Sequence, residues 1–167
     1  MKKVLFLLMA MFAFGFQSVN AQDEPIKIVT GHPDLKVKVK RCAASGKTIV
    51  LDLVVSNEGA RDVERFALLG CPAWERGEAY DDEGNIYNEP NGGRILLKVT
   101  NGASYEPYTN EFRLLSGIPM RVSVRIEDFS TSATSIAFLK LGVDCDELGL
   151  GDHNKSITFR NIPISRD

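Results

Sequence analysis

Leu35-Lys-Val-Lys-Val-Lys-Arg-Cys42, then Ala43-Ala-Ser-Gly-Lys47, then Thr48-Ile-Val-Leu-Asp-Leu-Val-Val-Ser-Asn57, run without a break. Leu35, Val37 and Val39 alternate with Lys36, Lys38 and Lys40. A period of two puts the apolar side chains on one face of a strand and the lysines on the other. Ser45-Gly46 supplies the turn, because glycine tolerates the positive φ of a tight hairpin. Ile49, Leu51, Leu53 and Val55 then continue the buried face. The stretch therefore predicts a β-hairpin, and it decides the fold class more than any other part of the chain.

Upstream, Lys2 and Lys3 precede an apolar run from Val4 to Phe16, followed by Val19-Asn-Ala21. A charged start, a short apolar core and a small-residue exit predict a secretory signal peptide over 1–21. A buried N-terminal helix is the alternative. The run is too short for a membrane span, and no later run replaces it. Residues 22–34, with Pro25, Gly31 and Pro33, read as an extended leader in which Ile26–Val29 adds a short edge strand. The domain itself is predicted over 35–167, in an exported protein: periplasmic, secreted or at the cell surface.

Downstream, Val63–Leu69 reads as a strand or one helical turn, and Gly70-Cys-Pro-Ala-Trp74 breaks it. Ala79–Tyr87 reads as a second hairpin around Asp81-Asp-Glu-Gly-Asn85. Ile95–Val99 and Tyr108–Leu115 are further strands. Met120, Val122, Val124 and Ile126 alternate with Arg121, Ser123, Arg125 and Glu127 in the clearest half-buried strand. Ile136–Val143 is almost wholly apolar, as a central strand requires, and Ile157-Thr-Phe159 starts the last one. Many short strands, frequent turns and no sustained helical period predict an all-β, antiparallel β-sandwich; a barrel is the alternative. The expected core includes Val37, Val39, Ile49, Leu51, Leu53, Val122, Val124, Ile126, Phe138 and Leu141.

Three places carry a family resemblance: Val37–Asn57, Ala79–Tyr87, and Leu115-Ser-Gly-Ile-Pro119 leading into Val122–Ile126. In order and spacing they resemble the immunoglobulin-like, telokin-like domains of secreted bacterial proteins, with a D-x-x-G-x-x-Y hairpin followed by an L-x-G-x-P turn. The resemblance spans roughly 35 to 143 and rests on turn chemistry. It implies an immunoglobulin-like sandwich and carries over no catalytic residue. The tail from Asp144 and the three cysteines depart from the pattern.

Chemistry is sparse. The chain holds 20 basic and 22 acidic residues; removal of Lys2 and Lys3 leaves 18 against 22, a net charge of −4. Outside the alternating lysines no basic cluster stands out, which argues against nucleic acid. Those lysines read as the solvated face of an edge strand. His32 and His153 lie in loops without a nucleophile or base beside them. Asp81, Asp82 and Glu83 imitate a glycosidase pair, but beside Gly84 they are better explained as turn residues. No motif calls for a cofactor.

Asp144, Asp146, Glu147 and Asp152 form an acidic, glycine-containing loop with a calcium-like ligand spacing. Leu148 stands where that pattern wants Asp or Asn, and no glutamate closes it. Trp74, Tyr80, Tyr87, Tyr105 and Tyr108 lie in or near predicted loops, where aromatic rings stack on sugars or anchor protein partners, or else cover the ends of a sandwich. Export favours disulfides. With Cys42 on the lysine side of its strand, absent a bulge, Cys71 and Cys145 are the expected pair. Two function classes follow. The first is a non-enzymatic domain that binds a macromolecule, protein or glycan, or supports an envelope assembly. The second is a carbohydrate-binding module using the loop aromatics.

Overall fold

The computed structural model describes residues 24–71, 77–88, 91, 93–100, 102, 104–109, 111–150 and 155–166. The predicted signal peptide falls outside them. The described residues form two packed, mostly antiparallel sheets, a β-sandwich. In the first sheet β1 (Lys27–Val29) pairs β11 (Ser156–Pro163), which pairs β10 (Ser135–Asp144). The other edge of β10 is shared by β4 (Val63–Leu69) and β5 (Glu78–Asp81); β8 (Phe112–Leu114) extends β4, and β6 (Ile86–Tyr87) extends β5. The second sheet runs β12 (Ser165–Arg166), β2 (Leu35–Ser45), β3 (Thr48–Asn57), β9 (Met120–Ile126), β7 (Ile95–Val99).

The decisive hairpin forms as expected, with Ser45 opposite Thr48 across Gly46-Lys47 and Gly46 at φ +56°. A positive φ at the first central residue gives a turn whose twist matches the flanking strands. Ile49, Leu51, Leu53 and Val55 are at most 1% exposed, whereas Lys36, Lys38 and Lys40 face solvent. Their partners from β9 and β7 complete one wall of the core: Leu51 pairs Val124, and Val124 pairs Leu97. Phe66, Leu139, Leu141 and Phe159 build the opposite wall.

Two bulges change what alternation alone predicts. The β2–β3 register slips between Val39 and Arg41, so Cys42 turns inward and is only 7% exposed. An extra residue on one strand reverses the facing of everything after it. The β10–β5 register slips between Ile136 and Phe138 in the same way. Ile136, Leu139 and Leu141 then point inward, and Phe138, expected in the core, lies half-buried on the outside. There it meets the Tyr80 ring edge-on at 5.9 Å and carries the Arg160 guanidinium at 5.1 Å.

Other departures are local. β12 runs parallel to β2, after the chain crosses from β11 between the sheets. The strand expected over Tyr108–Leu115 shortens to Phe112–Leu114. Glu106 instead bridges Leu97 and Tyr108 bridges Leu69, so this segment straddles the edge of the sandwich. The leader contributes β1, which covers the free edge of β11.

The expected Cys71–Cys145 disulfide is not formed. Register explains why. Leu69 pairs Gly142 and Ala67 pairs Asp144, which carries Cys145 to the level of Phe66. Cys71 lies five positions further along, roughly 17 Å at the rise of a β-strand, well beyond the ~7 Å Cα limit for a disulfide. Cys71 sits against Gly93 O at 3.6 Å. Burial pushes the Cys42 thiol up to about 12, with Arg166 opposing and Asp52 adding to the shift. Burial also raises Cys145, against backbone N–H groups of Leu148 and Glu147. Both thiols are buried and pack as small apolar groups.

Candidate functional site

The two turn motifs resolve into folding devices. Asp81, 2% exposed, accepts hydrogen bonds from the backbone N–H groups of Glu83 (3.0 Å) and Asn85 (2.8 Å), from Asn85 Nδ2 (2.8 Å) and from the Tyr87 hydroxyl (2.7 Å). Gly84 supplies the positive φ, +87°, that closes the turn. The Tyr87 oxygen in turn accepts the Ser130 N–H at 2.9 Å, while its ring stacks on Phe129 at 4.4 Å. Asp82 and Glu83 are spent beside it: Asp82 accepts from Thr134 and Glu83 from Ser130. The acidic triplet thus pins the second hairpin to the loop before β10. The second motif works alike. Gly117, at φ +72°, donates to Asn57 O, and the buried Asn57 side chain donates to the Arg61 and Leu114 carbonyls.

Burial alone would raise the Asp81 pKa; the hydrogen bonds from Asn85 and Tyr87 outweigh it, and the pKa falls below its usual 3.8. Burial and the Asp81 bond raise Tyr87 to about 12. A depressed carboxylate pKa contributes stability that is present above the unfolded value and is lost as pH falls through the folded one. Asp81→Asn keeps one acceptor but turns an N–H₂ group toward existing donors. It is expected to destabilise by about 2 kcal/mol at neutral pH, the scale of a buried unsatisfied pair. The gap between wild type and variant should narrow as pH falls below about 4, the unfolded-state carboxylate value, and on through the lower folded-state pKa of Asp81. Urea melts at neutral pH and near pH 3 decide it: a gap that stays constant would exclude the ionised carboxylate as the cause.

Of the calcium candidates, Asp144, Asp146 and Glu147 lie among the described residues and do not form a shared ligand set. Glu147 sits in the 3-10 turn Asp146–Leu148 and its carboxylate accepts the N–H groups of Glu64 (3.1 and 3.0 Å) and Arg65 (3.2 Å). Asp144 and Asp146 line a small hollow with Arg65 and Glu111, while Asp152 lies outside the described residues. Among the described residues no group of three or more side chains is placed to hold a metal ion. His32 closes a local turn, its Nδ1 accepting the Asp34 N–H at 3.2 Å; His153 falls outside the description, as does Trp74.

The remaining aromatics part company. Tyr80 packs on Phe138, and Tyr87 is in the core. Tyr105 lies on the outer face of the second sheet, with Arg125 at 4.6 Å and Lys98 at 5.8 Å from its ring centre. Tyr108, 50% exposed, sits at the neighbouring edge.

The full extent of that outer face is the feature the sequence did not expose. Lys98, Ser123, Asp52 and Arg41 stand in one row across β7, β9, β3 and β2; Arg121, Val54 and Lys38 form the next. A groove of about 500 Å³ crosses them, lined by Lys40, Asp52, Val54, Lys98, Thr100, Arg121 and Ser123. Asp52 is held between Arg41 Nε (3.0 Å) and Ser123 Oγ (2.7 Å). Arg125 pairs Glu127 at 2.8 Å. Among the described residues, no carboxylate reaches ion-pair distance of Lys36, Lys38, Lys40, Lys98 or Arg121. A second hollow of about 450 Å³ shares Lys98, Val99 and Thr100 with the first and extends over the β7 edge to Tyr108.

By architecture the chain is an all-β, two-sheet domain. No protein-family model matches it, and no curated protein matches it. Among solved structures it is similar to part of a family 123 glycoside hydrolase from Clostridium perfringens, described for glycolipid glycan hydrolysis. Identity is 12% and the TM-score 0.41, over 80% of this chain and 27% of that one. The chain spans about a quarter of that enzyme's length.

Proposed function

We propose that this chain is an exported, non-enzymatic binding domain of immunoglobulin-like type that engages a macromolecule through the outer face of its second sheet. Export rests on the signal-peptide pattern of residues 1–21. The binding role rests on one observation: five cations without ion-pair partners among the described residues share a face with a continuous groove. Exposed charges of one sign repel one another and favour a partner of opposite sign. An extended surface of this kind suits a polymer or a protein face better than a small substrate, which calls for an enclosing pocket.

Retention tests this reading. The protein and its Lys98→Glu/Arg121→Glu variant are each mixed with a washed envelope fraction and sedimented. The wild type is expected in the pellet and the variant in the supernatant. Equal partition of the two would remove this face as the binding surface, and hydrolytic turnover of envelope polymers by the pure protein would overturn the non-enzymatic reading.

A further inference from the structure

We infer that the ligand of this face is an acidic polysaccharide, a glycan that carries carboxylate or sulfate groups among its hydroxyls. The inference rests on the binding role proposed above and adds the chemical class of its partner. The cations supply the first argument. The whole chain carries a net charge of −2, yet Lys36, Lys38, Lys40, Lys98 and Arg121 gather on one face. From β2 to β7 the face spans three strand spacings, roughly 14 Å. That is the width of an oligosaccharide rather than a single anion.

The groove floor supplies the second argument. Asp52, Ser123 and Thr100 lie between the cations. A carboxylate in the middle of a basic face works against a polymer that is anionic everywhere, because like charges meet there. It suits a polymer whose anionic groups alternate with hydroxyl donors, since Asp52 keeps acceptor sites beyond those used by Arg41 and Ser123. The cations then take the carboxylates or sulfates, and the floor takes the hydroxyls.

The aromatics supply the third. Single-stranded nucleic acid is held by stacking successive bases on open rings. The Tyr105 ring is already approached by Arg125 and Lys98. Among the described residues Tyr108 is the open ring, half-exposed at the far hollow that Glu106 and Glu111 also line, where it fits the apolar face of one sugar ring and the two carboxylates accept from hydroxyls. An anionic membrane fits less well, because the exposed large aliphatics lie elsewhere: beside and in β1, in β6 and in the turn at Ile118.

The test titrates the purified protein with polygalacturonate, a heparin fragment, neutral dextran and oligo(dT) at several salt concentrations. Polygalacturonate or heparin is expected to bind about tenfold or more tighter than dextran or oligo(dT), with affinity falling as salt screens the face. Which of the two binds tells carboxylate from sulfate. Lys98→Glu/Arg121→Glu should lose about tenfold or more, and Tyr108→Ala severalfold without altering the salt slope. Lys27→Glu/Lys155→Glu changes the net charge equally on the first-sheet side and should bind as wild type; an equal loss there overturns the inference. Dextran or oligo(dT) binding best, with loss in the Lys98/Arg121 variant, overturns the ligand class and leaves the binding role standing. No probe responding to that variant overturns both.

Discussion

Gly70→Ala is expected to destabilise the protein by about 5 kcal/mol. β4 and β5 are two pieces of one strand line: Leu69 pairs Gly142, and Glu78 resumes beside the same strand at Lys140. Between them the chain leaves at Gly70 and returns at Gly77, whose N–H donates to Gly70 O at 3.0 Å. At the neck Cys71 and Ile95 exchange two backbone hydrogen bonds, 2.8 and 3.0 Å, stitching the first sheet to β7 of the second. A Cβ on Gly70 would overlap the Ile95 carbonyl oxygen and come within 3.1 Å of Pro107 O. Both obstacles are backbone, so no rotamer change relieves them. Overpacking of this kind costs about 1–3 kcal/mol. The two bridge bonds and the Gly70 N–H to Pro107 O bond add about 1 kcal/mol each if they are lost. The sum rivals the whole stability of an ordinary domain. Gly46→Ala is the contrast: nothing lies within 4 Å, only its φ of +56° is disfavoured, and about 1–2 kcal/mol is expected. Urea titration of both variants checks this; a Gly70→Ala protein as stable as Gly46→Ala would refute the pinched neck.

The same neck shows where the sequence stops being readable. Gly70-Cys71-Pro72 marks a break after β4. That the strand line resumes at Glu78, past the break, is a fact of pairing with β10, a strand some sixty residues away. Period-two alternation was enough for β2, β3 and β9, because each keeps one face buried along its length. It failed at Lys40, where one inserted residue reverses facing without any mark in composition, and a second slip near Ala137 sets the facing of a strand whose continuous apolar run offered no alternation to read. Cys42 and Phe138 therefore changed sides. The expected Cys71–Cys145 bond failed for a related reason: it depended on the β4–β10 register, which no local pattern encodes.

The outer face of the second sheet was half legible. The alternating lysines of β2 are plain in the sequence and are solvated as expected, but β2 is not the edge strand they suggested: β12 pairs its Ala43-Ala44 end. Lys98 and Arg121 join them only through the order β2-β3-β9-β7, which brings together segments far apart in the chain. Tyr105 and Tyr108 were visible as loop aromatics, but nothing local told them from Tyr80 and Tyr87, which are spent on packing. The acidic triplet was read as a turn, and the hydrogen bonds of Asp81 give that reading its physical content.

Because facing alternates along β3, the core and the outer face can be perturbed separately from adjacent residues. Leu51 is fully buried in the central strand of the second sheet, flanked by Cys42 on β2 and Val124 on β9. Its neighbour Asp52 points the other way, into the groove. Leu51→Ala removes apolar contact on every side in a place where two hydrogen-bonded neighbour strands resist collapse. It is expected to destabilise by about 4 kcal/mol, toward the upper end of such truncations. At temperatures where the variant remains folded, its affinity for the acidic polysaccharide proposed for the outer face should be unchanged. Lys98→Glu/Arg121→Glu should do the reverse, moving stability by no more than about 0.5 kcal/mol, as surface changes usually do, while weakening binding about tenfold or more. Chemical denaturation and ligand titration of the two variants measure both quantities. Leu51→Ala losing under 1 kcal/mol would mean that the two sheets do not pack through this position. A binding loss in folded Leu51→Ala as large as in the charge variant would mean that the groove depends on core packing rather than on its own side chains.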